Sequence, residues 1–200
     1  MAHERARLPT HRIAPSIRNQ LKVTRTKDER AALLGKLAAH LMKHGLAASS
    51  LRPLAKAAGT SDRMLLYYFR DKTEMMSAII ARIGEDLVAI LEKKREPQPL
   101  PADRLAAELA RILFDKRLWP YMRIWLEIAA LAARGDAFCR QTGEAMGRYF
   151  LAWGESQIAA PTKTARTRDA ARLLVTLEGM LFLKAIGLED VNAAALAKAQ

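Results

Sequence analysis

The sequence predicts an all-α protein. Apolar residues recur three and four apart through most of its length, no stretch alternates apolar and polar as a strand would, and Gly or Pro punctuation cuts the chain into helix-length pieces. With 200 residues, half of them hydrophobic, there is enough apolar surface to bury a core. Charge is distributed unevenly: residues 1–100 hold 19 Lys and Arg against 10 acids, residues 101–200 hold 14 against 11. A basic half draws a polyanion, either nucleic acid or an anionic membrane surface, and charge alone does not choose between them.

Residues 1–26 carry Arg5, Arg7, Arg12, Arg18, Lys22 and Arg25 with Glu4 as the one acid, plus Pro9 and Pro15, and read as a basic flexible arm. Such an arm either follows an adjacent minor groove or adds only non-specific affinity. Lys27 to His44 is the first full helix, with Leu34, Leu37, Ala38 and Leu41 inward and Lys43 and His44 against its negative end before Gly45. His40 and His44 have the spacing of a helical metal pair but no third ligand nearby, and His44 has a sufficient role at the helix end, so no metal is expected. In Ser50 to Lys72, Ser50 is placed to cap a short helix carrying Leu51, Leu54, Ala55 and Ala58, Pro53 is tolerable in its first turn, and Gly59 ends it. Ser61 is placed to cap a second short helix in which Leu65 and Phe69 turn inward. Two short helices with a tight Gly-containing connection make a helix-turn-helix. Arg63, Met64, Tyr67 and Tyr68 are left on the other faces, and hydroxyl-bearing aromatics between Arg63 and Arg70 suit a phosphate-and-base surface. The alternative is that the tyrosines pack on a neighbouring helix.

This stretch resembles the DNA-binding end of TetR-type (tetracycline-repressor-like) transcriptional regulators. The resemblance rests on Gly45, Ser49-Ser50, Leu54-Ala55, Ala58-Gly59, Tyr67-Tyr68-Phe69 and Lys72, within about residues 27–81. Met64 and Leu66 depart from it, standing where relatives often place Thr and Tyr. It implies an all-helical homodimer: a helix-turn-helix head at 27–72 follows the 1–26 arm, and a helical regulatory and dimerisation domain fills 73–200. It also implies a ligand-responsive regulator of transcription, a repressor, that binds a near-palindromic operator. The residues expected toward DNA are Ser50, Arg52, Ser61, Arg63, Met64, Tyr67, Tyr68 and Lys72, Met64 by touching at most a thymine methyl.

Asp71 to Arg95 is one long helix, opened by an acidic cap and striped by Met75, Ile79, Ile83, Leu87 and Ile90-Leu91. The resemblance makes it the connection whose far end would swing the head. Pro97, Pro99 and Pro101 end it. Asp103 to Lys116 follows, then Trp119-Pro120 as an interruption, Tyr121 to Ala133, Ala137 to Ile158 capped by Asp136, a basic link at Thr162 to Arg168, and a helix from Asp169 to Leu188 with a short tail helix from Asp190. Trp119, Met122, Trp125 and Phe138 are candidate walls of a pocket for a small apolar or aromatic ligand, with Glu127, Arg123 or Cys139 as its polar groups; ordinary core packing is the plainer reading. Small residues keep the helix at 143–158 slim and the one at 170–186 is apolar on more than one face, so the pair is expected to meet a second copy as a four-helix bundle, burial inside a monomer being the alternative.

No phosphate-cradling Gly loop, nucleophile elbow or spaced metal cluster is present, and the carboxylates are scattered singly, so no enzyme activity and no cofactor are expected. One cysteine, Cys139, cannot form an internal disulfide. No run of apolar residues is long enough to cross a membrane and the charged N-terminus does not read as a signal peptide, so a cytoplasmic location is expected. The competing function is a helical adaptor or membrane-surface binder without sequence-specific DNA recognition.

Overall fold

A computed structural model describes residues 15–197, with side chains from Lys27 onward. The described chain folds into nine α-helices: α1 (Pro15–His44), α2 (Leu51–Ala58), α3 (Asp62–Tyr68), α4 (Lys72–Glu92), α5 (Ala102–Leu113), α6 (Trp119–Ala133), α7 (Ala137–Gln157), α8 (Lys163–Ala185) and α9 (Glu189–Leu196). A single 3-10 turn, Leu46–Ala48, joins α1 to α2.

Two starts differ from the sequence expectation. α1 begins at Pro15 rather than Lys27, so the second half of the expected arm is helical; residues 1–14 lie outside the described chain. Proline is tolerated at a first helical position, and nothing between Pro15 and Lys27 breaks a helix. Likewise the expected link at Thr162 to Arg168 is the first turns of α8, because the Thr162 hydroxyl accepts from Ala165 N at 3.1 Å and caps it. Pro120 does not interrupt a helix but sits in the first turn of α6, where its missing N–H costs no bond. Gly45, at φ +80°, and Gly59, at φ +70°, end α1 and α2 at positive φ, Gly59 in the left-handed helical conformation and Gly45 with ψ extended. After Gly59, Thr60 N donates to Ala55 O at 3.0 Å, closing the helix end.

The interior has two parts. One is built on Leu37, Leu41, Leu54, Leu65, Phe69, Met75 and Ile79, and its floor is Ile124 and Ile128 of α6 with Cys139 of α7. The second gathers Leu87 and Leu91 of α4 with Leu105, Leu109, Ile112, Met122, Ile158, Leu173 and Leu181. α4 therefore supplies both, its first half to the head and its second half to the core. The segment between α4 and α5 is fastened by an isolated parallel bridge, Leu100 N to Gln157 O at 2.9 Å and Ala159 N to Leu100 O at 2.8 Å. No described helix is long and apolar enough to cross a membrane.

Candidate nucleic-acid interface and core cavity

α3 is oriented by what it buries. Leu65 and Phe69 have no exposed surface, which fixes the opposite face outward: Tyr67 is 72% exposed, Leu66 47% and Met64 39%, with Arg63 exposed beside them. The Ser61 hydroxyl accepts from Met64 N at 3.2 Å and starts the helix as expected. Ser50 occupies the equivalent position before α2 but makes no side-chain cap bond; it is exposed, next to the exposed Arg52.

Tyr68 departs from its expected outward placement. It is half-buried against the head, its hydroxyl donates to Glu29 Oε2 at 2.8 Å, and its ring meets that of Tyr67 edge-on with centroids 5.3 Å apart. The alternative reading of the tyrosines thus holds for Tyr68 and fails for Tyr67. Glu29 lies on α1 beyond the span in which sequence reasoning looked for a partner.

The junction between α3 and α4 is held by charge. Arg30 stacks over the Phe69 ring at 4.8 Å and its Nη2 reaches Glu74 Oε1 at 3.3 Å. The other oxygen of Glu74 accepts from Arg70 N at 2.7 Å. Asp71 caps α4 by accepting from Glu74 N at 2.8 Å, and this backbone bond, with the Arg70 guanidinium beside it, holds the Asp71 carboxyl below its ordinary value. Lys72 follows at the start of α4 with its side chain exposed. Arg52, Arg63 and Lys72 are thus cations on solvent-facing positions around an exposed tyrosine, and Asp62 is the acid among them.

Behind the head, α6 makes two polar attachments to it. Arg123 Nη2 donates to Met42 O at 2.8 Å, at the carbonyl end of α1, and Leu46 N donates to Glu127 Oε2 at 2.5 Å. Gly45 passes so close that a Cβ there would stand 2.7 Å from Glu127 Oε1. Arg123 and Glu127 were expected as polar groups of a pocket; instead they hold the head, since both point to the face of α6 that meets α1. Cys139 is buried as well, and burial pushes its thiol up to about 11.

The opposite face of α6 lines a cavity of about 80 Å³ enclosed by α4, α5, α7 and α8. Met122 and Trp125 line it as expected. Trp119 does not: its ring lies under Lys184 Nζ at 5.2 Å. Phe138 does not either, packing instead beside the head core and lining an open groove of about 600 Å³ between α4 and α7. The charged residue among the cavity's lining is Glu178 of α8, which accepts from Trp125 Nε1 at 2.8 Å. Sequence reasoning missed it because an acid inside a helix of leucines looks like a solvated position until the helix is packed on two sides.

On the outside of α8 and beyond, Val175, Phe182 and Ile186 are 73, 57 and 55% exposed, and Leu188 and Val191 continue the apolar surface. Tyr149 of α7 is exposed too.

Comparison with known proteins bears on the same region. Residues 36–79 match the model of a family described as bacterial regulatory proteins, tetR family. No curated protein matches the chain. Among solved structures, a transcriptional regulator from Rhodococcus sp. Rha1 superposes with a TM-score of 0.64 at 24% identity, covering 84% of this chain and 91% of that one. A putative TetR-family transcriptional regulator from Rhodococcus sp. does so with a TM-score of 0.63 at 19% identity, covering 85% and 95%. These two likenesses are of fold.

Proposed function

We propose that the chain, whose residues 36–79 match the tetR family of bacterial regulatory proteins, is a cytoplasmic, dimeric, ligand-responsive DNA-binding regulator of transcription, acting as a repressor. The observation that supports it most is the exposed face of α3, where Tyr67 stands out from a helix pinned by Leu65 and Phe69 and flanked by Arg63 and Lys72. In this reading the DNA surface is Ser50, Arg52, Ser61, Arg63, Met64, Tyr67 and Lys72. Tyr68, tied to Glu29, acts by orienting Tyr67. A dimer formed through α7 and α8, covering Val175, Phe182 and Ile186, would set two heads on half-sites about 34 Å apart, one duplex turn.

An effector in the core would act through two elements that touch both regions. α4 lines the cavity with Ile83, Gly84 and Leu87 and begins with Lys72; α6 lines it with Met122 and Trp125 and grips the end of α1 with Arg123 and the 3-10 turn after it with Glu127. At about 80 Å³ the cavity is small, so an organic molecule lodged in it would press on the helices that line it. If the two head geometries differ in DNA affinity about a hundredfold, the coupling is roughly 2.7 kcal/mol. Selection of duplexes from a random pool by the purified protein tests the reading. The expected result is a near-palindromic motif whose binding weakens steeply with salt; a pool that stays random after repeated rounds would refute it.

A further inference from the structure

The cavity has one charged group and nothing charged to match it. Its walls include Phe114, Tyr121, Trp125, Phe150 and Trp153 with Leu and Ile residues between them, and the carboxylate of Glu178 is its polar feature. No cation lies within ion-pair distance of that carboxylate among the described residues; its bonded partner is the neutral indole N–H of Trp125 at 2.8 Å. The basic residues nearest to it along α8, Arg172 and Lys184, are equally far on either side and engaged elsewhere, Arg172 with Asp169 Oδ1 at 4.0 Å and Lys184 with Glu189 Oε1 at 2.6 Å and over the Trp119 ring. Burial raises the Glu178 carboxyl above its ordinary value and the Trp125 bond opposes this only in part. One hydrogen bond from a neutral donor satisfies one of the several lone pairs of a carboxylate. Aromatic faces around it attract positive charge through their quadrupoles, most strongly where water is excluded.

We propose that the core cavity takes a small lipophilic cation, an aromatic body bearing one amine or quaternary ammonium group whose charge is met by Glu178 and the rings of Trp125 and Trp153. An anionic ligand is rejected by the same carboxylate, and a neutral one gains only the apolar contacts. This deepens the effector reading given above and rests on it. Entry is from the open groove between α4 and α7: Ile80, Gly84, Met146 and Phe150 line both spaces, so they form the partition between groove and cavity. On the α4 side the partition is thinned by Gly84, around which a Cβ would meet nothing within 4 Å. A ligand passing Met146 and Phe150 leaves its apolar part among the leucines and its charge beside Glu178.

The test uses the full-length protein and three probes of similar size: benzyltrimethylammonium, its neutral carbon isostere neopentylbenzene, and phenylacetate. Binding is followed by quenching of tryptophan fluorescence, since Trp125 and Trp153 line the cavity, and by calorimetry. The expected result is a preference for the cation over the neutral isostere of at least about tenfold, a margin cation–π and ionic contacts readily supply, with phenylacetate weakest. In Glu178→Gln, which keeps the side-chain shape and an acceptor for Trp125, the preference falls to about unity while neutral binding persists. Because the cation-to-isostere ratio is read on the unaltered protein, the test survives a variant that folds poorly. Equal binding of cation and isostere would overturn the charge assignment and leave the cavity as an apolar effector site. Binding of no probe would overturn both, and the duplex selection above would still stand or fall separately.

Discussion

At the residue scale, the head separates side chains that hold shape from those free to meet a ligand. Lys72 is exposed with its charge available, so Lys72→Ala should weaken binding to every duplex alike and reduce the salt slope by about 0.9 per head, the value of one phosphate contact. Titrating binding against salt checks this, and an unchanged slope would remove Lys72 from the interface. Tyr67→Ala should instead change which duplexes are selected. Asp71 offers a second test, through pH. Its folded-state pKa is depressed by the Glu74 N–H and Arg70, so the stability it contributes is present above its unfolded value and disappears as pH falls through the lowered one. Asp71→Asn should therefore melt lower than the parent at pH 7, and the gap should narrow below about pH 4, the ordinary range for aspartate; thermal melts across pH 2.5–7 would show it. The placement of Tyr67, Leu65 and Phe69 was legible because four-residue spacing alone assigns them to faces. Tyr68 was not, since its fate depends on Glu29, 39 residues away on α1, and no local pattern encodes that pairing.

At the scale of elements, helix existence and order followed from periodicity, while two helix starts did not. Pro15 to Thr26 and Lys163 to Arg168 are basic and polar, which suggested solvated linkers, yet neither contains a breaker and each begins with a helix-start signal, Pro15 in one and Thr162 in the other. Composition described their surroundings and stop signals described their conformation. α6 was legible as a helix, but its division of labour was not. Its pocket-facing and head-facing residues are interleaved, Met122 and Trp125 against Arg123 and Glu127, and only the packed structure tells a cavity wall from a clamp. In the proposed reading, breaking the clamp should separate operator binding from its response to effector. Arg123→Ala should cost about 1 to 2 kcal/mol of stability, the loss of a charged hydrogen bond that is only partly buried, and leave operator binding nearly intact while blunting its response to effector. Mobility shifts with and without ligand measure that response; a variant that loses DNA affinity and keeps full responsiveness would contradict the clamp.

At the scale of the whole molecule, the exposed apolar face of α8 is the surface on which the proposed dimer would form. Val175, Phe182 and Ile186 are large apolar side chains left exposed along α8 and just past its end, as at a surface that meets a partner. Phe182→Glu should give a monomer by sedimentation at micromolar concentration with helicity preserved. Its affinity for a two-half-site operator should then drop by about a hundredfold or more, because the second head no longer arrives at high effective concentration. A dimer that persists would shift the interface to another face. Within the chain, the hydrophobic floor under the N-terminal head is Ile124 and Ile128, contributed from more than fifty residues downstream of α3. The residues from α1 to α3 consequently do not form a portable module: a chimaera that grafts them onto a foreign scaffold would leave Leu37 and Leu41 facing solvent unless the graft also carries the first half of α4 and the matching side of α6.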